Sequence, residues 1–219
     1  MDSDNCESNW SKNDLRLINH VEVFQHKPAI LKKVESRLID LQKALQEEIT
    51  AQSADLPTGL NLTKNQIARG ENHNGFPYIS LDYPQNFSKT EMFTMRTLFW
   101  WGHYLGLSLI LKGENLGAYT DRLLAVRTTE PCHDIYVSLA PNPFEWELKE
   151  ENFSRVGEGN PEELKQTILT LDYLKIIRVC PIAGETFANL DWTQAGLQFW
   201  RDLFPVTLGE MPFSLQEKL

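Results

Sequence analysis

The chain has 219 residues, 42 % hydrophobic and 11 % aromatic, with 21 Lys and Arg against 30 Asp and Glu and a formal charge of −9. That content is enough for a packed core, and the acidic balance speaks against a nucleic-acid partner, because affinity for phosphate backbones comes from Lys and Arg. The longest apolar stretch, Leu98 to Leu111, falls short of the roughly 20 residues of a spanning helix, so no membrane partner is expected. The opening Met1-Asp2-Ser3-Asp4-Asn5 lacks the apolar stretch of a secretory signal, and the chain reads as soluble and cytoplasmic. Its three cysteines, Cys6, Cys132 and Cys180, form no Cys-x-x-Cys pair, and reduced thiols follow.

Residues 1–12 are polar and expected to be disordered, with 13–219 forming a single α+β domain. A short apolar segment, Leu15 to Phe24, comes first. Pro28 then suits the first turn of a helix, where its missing N–H is harmless. Ile30, Leu31, Val34, Leu38, Leu41, Leu45 and Ile49 recur at spacings of three and four, which predicts an amphipathic helix from Pro28 to Gln52. Turn formers from Ser53 to Gly75 read as an irregular connection. Phe76 to Tyr83 alternates as a strand ending at Pro84, with Pro77 marking a strand start or an edge.

Glu91 to Lys112 admits two readings. As a hairpin, it has strands Met92–Trp101 and Tyr104–Leu111 about a Gly102-His103 turn. As a helix, it has Ser88 and Glu91 at capping-box spacing. Aromatic and β-branched density favours the hairpin, and two glycines would weaken a helix. Leu116 to Val126 then reads as a helix, and Asp134–Leu139 and Phe144–Leu148 as two strands joined across Pro141-Asn142-Pro143. Asn160-Pro161-Glu162-Glu163 opens a helix to Leu171: a cap, a first-turn Pro, and acids against the dipole. Tyr173 to Cys180 is an apolar strand, and Asp191 caps a last helix carrying Leu197, Trp200 and Leu203. The fold class is α+β, with helices packed on a mostly antiparallel sheet.

This order of elements, with Trp101-Gly102-His103 in the aromatic hairpin, resembles the YktB-like family of bacterial cytosolic proteins over residues 28–185. That family is uncharacterised, so the resemblance implies a fold and no activity. The N-terminal extension and the Trp-rich C-terminal helix fall outside it.

No catalytic or cofactor signature is present. His20 and His26 are six apart and the other histidines are scattered, without a His-Glu-x-x-His or Glu-x-x-His step, so no metal or other cofactor is expected. Cys132-His133 would lie on opposite faces of a strand. Gly157-Glu158-Gly159 before the Asn160 cap reads as a solvated turn or as an anion-facing set of N–H groups. The aromatic hairpin concentrates the remaining chemistry. Arg96, Leu98 and Trp100 share one face, and a guanidinium there must find a carboxylate, a carbonyl or a wet groove. In the bland reading Arg96 pairs with an Asp inside an aromatic core. In the functional one, Arg96, Trp100, His103, Asp82 and Tyr83 line a groove for a flat anion, by charge and stacking. The chain is thus read first as a non-enzymatic binding or interaction module, for a protein partner or a small anionic ligand. The alternative is an enzyme whose pocket around Arg96 and His103 takes an anionic substrate. Either is compatible with a homodimer.

Overall fold

The computed structural model describes residues 9–208. Seven antiparallel strands form one sheet in the order β1-β2-β3-β4-β7-β5-β6. The strands are β1 (Gln66–His73), β2 (Phe76–Phe87), β3 (Met92–Trp100), β4 (Tyr104–Lys112), β5 (Ile135–Ser138), β6 (Phe153–Arg155) and β7 (Leu174–Pro181). The helices are α1 (Lys12–Ile18), α2 (Val21–Ala51), α3 (Leu116–Val126), α4 (Pro161–Leu171), α5 (Gly184–Ala188), α6 (Trp192–Asp202) and α7 (Phe204–Thr207). The architecture is the α+β class expected, and the hairpin reading of Met92 to Lys112 holds over the turn at Gly102, whose φ is +76°.

The two sheet faces are dressed differently. Ile79, Leu81, Tyr83, Phe93, Met95, Phe99, Leu105, Leu107, Leu109 and Ile176 join the helices in the main core. The apolar stripe of α2 (Leu31, Val34, Leu38, Leu41, Leu45 and Ile49) is buried against them. Burying each such side chain is worth about 1.5–3 kcal/mol relative to exposing it. Helix α6 lies close on α2 because Gly196 has no Cβ; one there would sit 2.4 Å from Leu41 Cδ1. The opposite sheet face carries Leu98, Trp100, Tyr104, Phe153 and Ile177, covered by an irregular lid, residues 139–152, whose Trp146 closes that second cluster.

Several expectations are corrected. Helix α2 starts at Val21, so Pro28 lies well inside it; the exposed turns before it leave the carbonyl that Pro28 cannot bond open to water. Gln66–His73, read as irregular, is the edge strand β1. Its polar residues fit an edge, and Gly70 is required because a Cβ there would meet the Tyr78 ring at 2.2 Å. Asn74 and Gly75, at φ 51° and 89°, make the β1–β2 turn. Strand β2 runs on through Pro84 to Phe87, while Pro77, its second residue, marks the strand start as expected. Phe144–Leu148 is lid and not strand; β5 pairs with β6 and β7. Cys132 closes a short 3-10 turn (Glu130–Cys132), so it and His133 are not strand neighbours. The disorder expected over 1–12 falls mainly on residues outside the described ones; Ser11, within them, caps α1 with a reciprocal Asp14 bond. Residues Pro161–Leu171 form α4 with Asn160 Oδ1 accepting from the Glu162 and Glu163 N–H groups, as the capping pattern predicts.

Candidate functional site

Strand register brings Asp82 and Arg96 face to face. They are direct cross-strand partners on β2 and β3, on the lid side of the sheet. Arg96 Nε donates to Asp82 Oδ1 at 2.6 Å, and its Nη2 donates to Oδ2 at 2.8 Å. Asp82 is 2 % exposed. The guanidinium is further covered by the Phe144 ring at 4.7 Å and the Phe87 ring at 5.9 Å. A planar fork that satisfies both carboxylate oxygens has little charge left for a ligand.

The other expected site residues lie elsewhere. Trp100 is on the same face as Arg96 but four residues along the strand, roughly 13 Å away at strand rise. His103 stacks on Trp100 with centroids 3.6 Å apart and planes 6° from parallel, and its Nδ1 bonds the Trp101 carbonyl at 2.9 Å. Tyr83 points to the opposite face, fully buried in the main core, where its hydroxyl donates to the Leu62 carbonyl at 2.9 Å. The five residues therefore divide into a sealed ion pair, an aromatic stack and a core tyrosine; they do not converge in one groove. The alternation of a strand sends Tyr83 away from Asp82, its neighbour in sequence.

The lid is held from below by polar side chains that donate to its carbonyls. Tyr104 Oη donates to Trp146 O at 2.5 Å, Tyr173 Oη to Ala140 O at 2.5 Å and Lys175 Nζ to Glu145 O at 2.5 Å. From the hairpin tip, Asn74 Nδ2 donates to Glu147 Oε1 at 2.7 Å, and the His73 ring lies 3.7 Å from that of Trp146. An irregular segment packed on a sheet needs such partners for its backbone. Lys175 is the residue that the reading of the sequence missed. It is 3 % exposed on a strand of apolar residues, and burial pushes its ammonium down to about 7, with Arg96 adding repulsion and Glu145 opposing. The signal was a single Lys between Leu174 and Ile176. Burial also pushes the His73 imidazole below its usual 6.5.

Other chemistry does not assemble. Among the described residues no three of His, Cys, Asp or Glu are grouped as metal ligands. Burial pushes the Cys132 and Cys180 thiols up, away from the reactive thiolate. The Gly157-Glu158-Gly159 turn turns its carbonyls toward a cation: Arg127 Nη1 donates to all three at 3.3 to 3.5 Å.

The helical side is more open. Helix α1 buries none of its residues, and the first turns of α2 overhang the sheet. Trp10 (72 % exposed), Leu15, Leu17, Ile18, Val21, Val23 and Phe24 (71 %) all stand in solvent there. On helical spacing, Val23 and Phe24 continue the stripe that Leu31 and Val34 bury farther along. No helix among the described residues is long and apolar enough to cross a membrane. Searches of family models, curated proteins and solved structures find no match to this chain.

Proposed function

We propose that the chain is a non-enzymatic interaction module of the cytosol that pairs with a second copy of itself through α1 and the overhang of α2. The observation that carries this reading is the exposed apolar set from Trp10 to Phe24. A helix as short as α1 is marginal in water by itself, and it gains no stability from burial in its own chain. Two aromatic rings and five aliphatic side chains expose several hundred Å² of apolar surface, approaching the roughly 800 Å² per partner of a standard interface. Isolated monomers rarely present so large a patch. A second copy offers the same surface around a twofold axis, so each apolar set covers the other.

The enzyme alternative, an anionic substrate held by Arg96 and His103, draws less support. Its cation is neutralised by Asp82 under the lid, and its histidine is stacked on Trp100 at the far end of the strand.

Sedimentation equilibrium of the full chain, with Phe24→Glu and Ile18→Glu variants beside it, tests the proposal. Wild type is expected to be a dimer at micromolar concentration and each variant a monomer with the wild-type circular dichroism spectrum. A wild type that stays monomeric at its highest soluble concentration contradicts it.

A further inference from the structure

A guanidinium over an indole, the arrangement expected of Arg96 and Trp100, occurs on the other side of the sheet. The Arg37 Cζ lies 5.4 Å from the Trp192 ring centroid. Trp192 stacks on Phe99 with centroids 6.0 Å apart and planes 25° from parallel; Phe187 lies against Trp192 and Trp101 against Phe99. These four rings wall a groove of about 410 Å³, and Lys33 and Arg37, one turn apart on α2, stand at its rim. That volume is within the range of small-molecule sites.

Three observations give the groove a chemistry. Its walls are apolar, with the four rings beside Ile30, Val34 and Ile182, which suits a flat ring system. Both rim cations are exposed and, among the described residues, neither has a carboxylate partner, on a chain whose net charge is −9. Trp192 is 4 % exposed, yet its Nε1 donor has no acceptor among the described residues. A buried donor without a partner is costly and normally finds one. We propose that this groove binds a flat aromatic carboxylate, its rings between Trp101 and Trp192 and its anionic end at Lys33 and Arg37. Cation and aromatic wall here serve an incoming anion, where at Arg96 the anion is supplied by Asp82. The site is separate from the self-association surface and does not depend on it.

Calorimetric titration of the full chain with a naphthalene carboxylate tests this, with the neutral naphthalene methanol and decanoate as comparisons. The acid is expected to bind at one site per chain and to quench indole emission. The alcohol is expected to bind about three- to tenfold more weakly, the range that two solvent-exposed charge contacts supply. A Lys33→Gln/Arg37→Gln double variant should melt with wild type and bind the acid no better than the alcohol. Equal affinity for acid and alcohol, undiminished binding by the double variant, or no binding of the acid at millimolar concentration would each overturn the proposal. Binding of decanoate in preference to the aromatic acid overturns the ligand class. Loss of binding in Phe24→Glu with retention in the double variant places the acid on the helical overhang and overturns the site.

Discussion

Arg96 and Arg37 each lie beside aromatic rings, on opposite sides of one sheet, and their surroundings give them opposite roles. Arg96 is clamped by Asp82 in a bidentate pair, roofed by Phe144 and buried under the lid. Arg37 sits on an exposed helix over Trp192, without a carboxylate partner among the described residues. The comparison teaches that a cation among aromatics becomes structure or binding surface according to whether the fold itself delivers the counter-charge. On the lid side, buried Lys175, Tyr104 and Tyr173 satisfy carbonyls of an irregular loop. The helical side leaves apolar surface and positive charge unsatisfied, and surface of that kind marks binding.

The contrast is broken most strongly at Asp82. Asp82→Ala leaves the Arg96 guanidinium buried and unpaired, and urea unfolding should show a loss of about 3–5 kcal/mol. Trp146→Ala removes the side chain that closes the lid over Trp100 and Tyr78, and about 3 kcal/mol should go with it in the same measurement. On the helical side, Gly196→Ala drives a methyl into Leu41 between α6 and α2, for an expected loss of about 1–3 kcal/mol. Arg37→Ala, in contrast to Asp82→Ala, should fall within about 0.5 kcal/mol of wild type.

Acid–base behaviour sharpens the same contrast, because Lys175 and His73, both perturbed by burial, lie against the lid. With a folded value of about 7 against 10.5 for an ordinary lysine, between those two pH values native Lys175 has released its proton while the unfolded chain still holds one. Stability should therefore rise with pH from about 7 toward 10.5, at up to about 1.4 kcal/mol per pH unit, and level off below 7. His73 acts in the same sense at lower pH: its imidazole is pushed below 6.5, so the unfolded chain takes up the proton first and stability falls as pH drops through 6.5. Melting temperatures across this range should show both slopes in wild type, with the upper slope absent in Lys175→Met. A Lys175→Met profile that still rises above pH 7 would exclude Lys175 as its source.

Local signals were legible where one strong rule acted alone. Asn160-Pro161-Glu162-Glu163 located α4, and the three-and-four spacing from Leu31 to Ile49 located the buried face of α2. Strand β1 was hidden because an edge strand needs no apolar face, and Arg69, Glu71 and Asn72 read as loop. Phe144, Trp146 and Leu148 alternate like a strand, yet their spacing serves a lid in which Trp146 is buried and the other two are exposed. The Asp82–Arg96 pair depends on the register between β2 and β3, which no single segment encodes; the sequence showed that Arg96 needed a carboxylate and not which one. Tyr83 was placed with Asp82 by neighbourhood, and strand alternation separates them. Lys33 and Arg37 lie far from Trp192 in sequence, and only the packing of α6 along α2 brings them to one groove.

The claim that the overhang is an interaction surface is tested most directly by amide hydrogen exchange across α1 and the first turns of α2 at two protein concentrations. A second copy seated there should protect the amides of Leu15 to Phe24 at high concentration and release them on dilution, while the amides of β3 and β4 stay protected throughout. Fast exchange in α1 at both concentrations, with wild type monomeric, would contradict the account and leave that surface uncovered by its own kind.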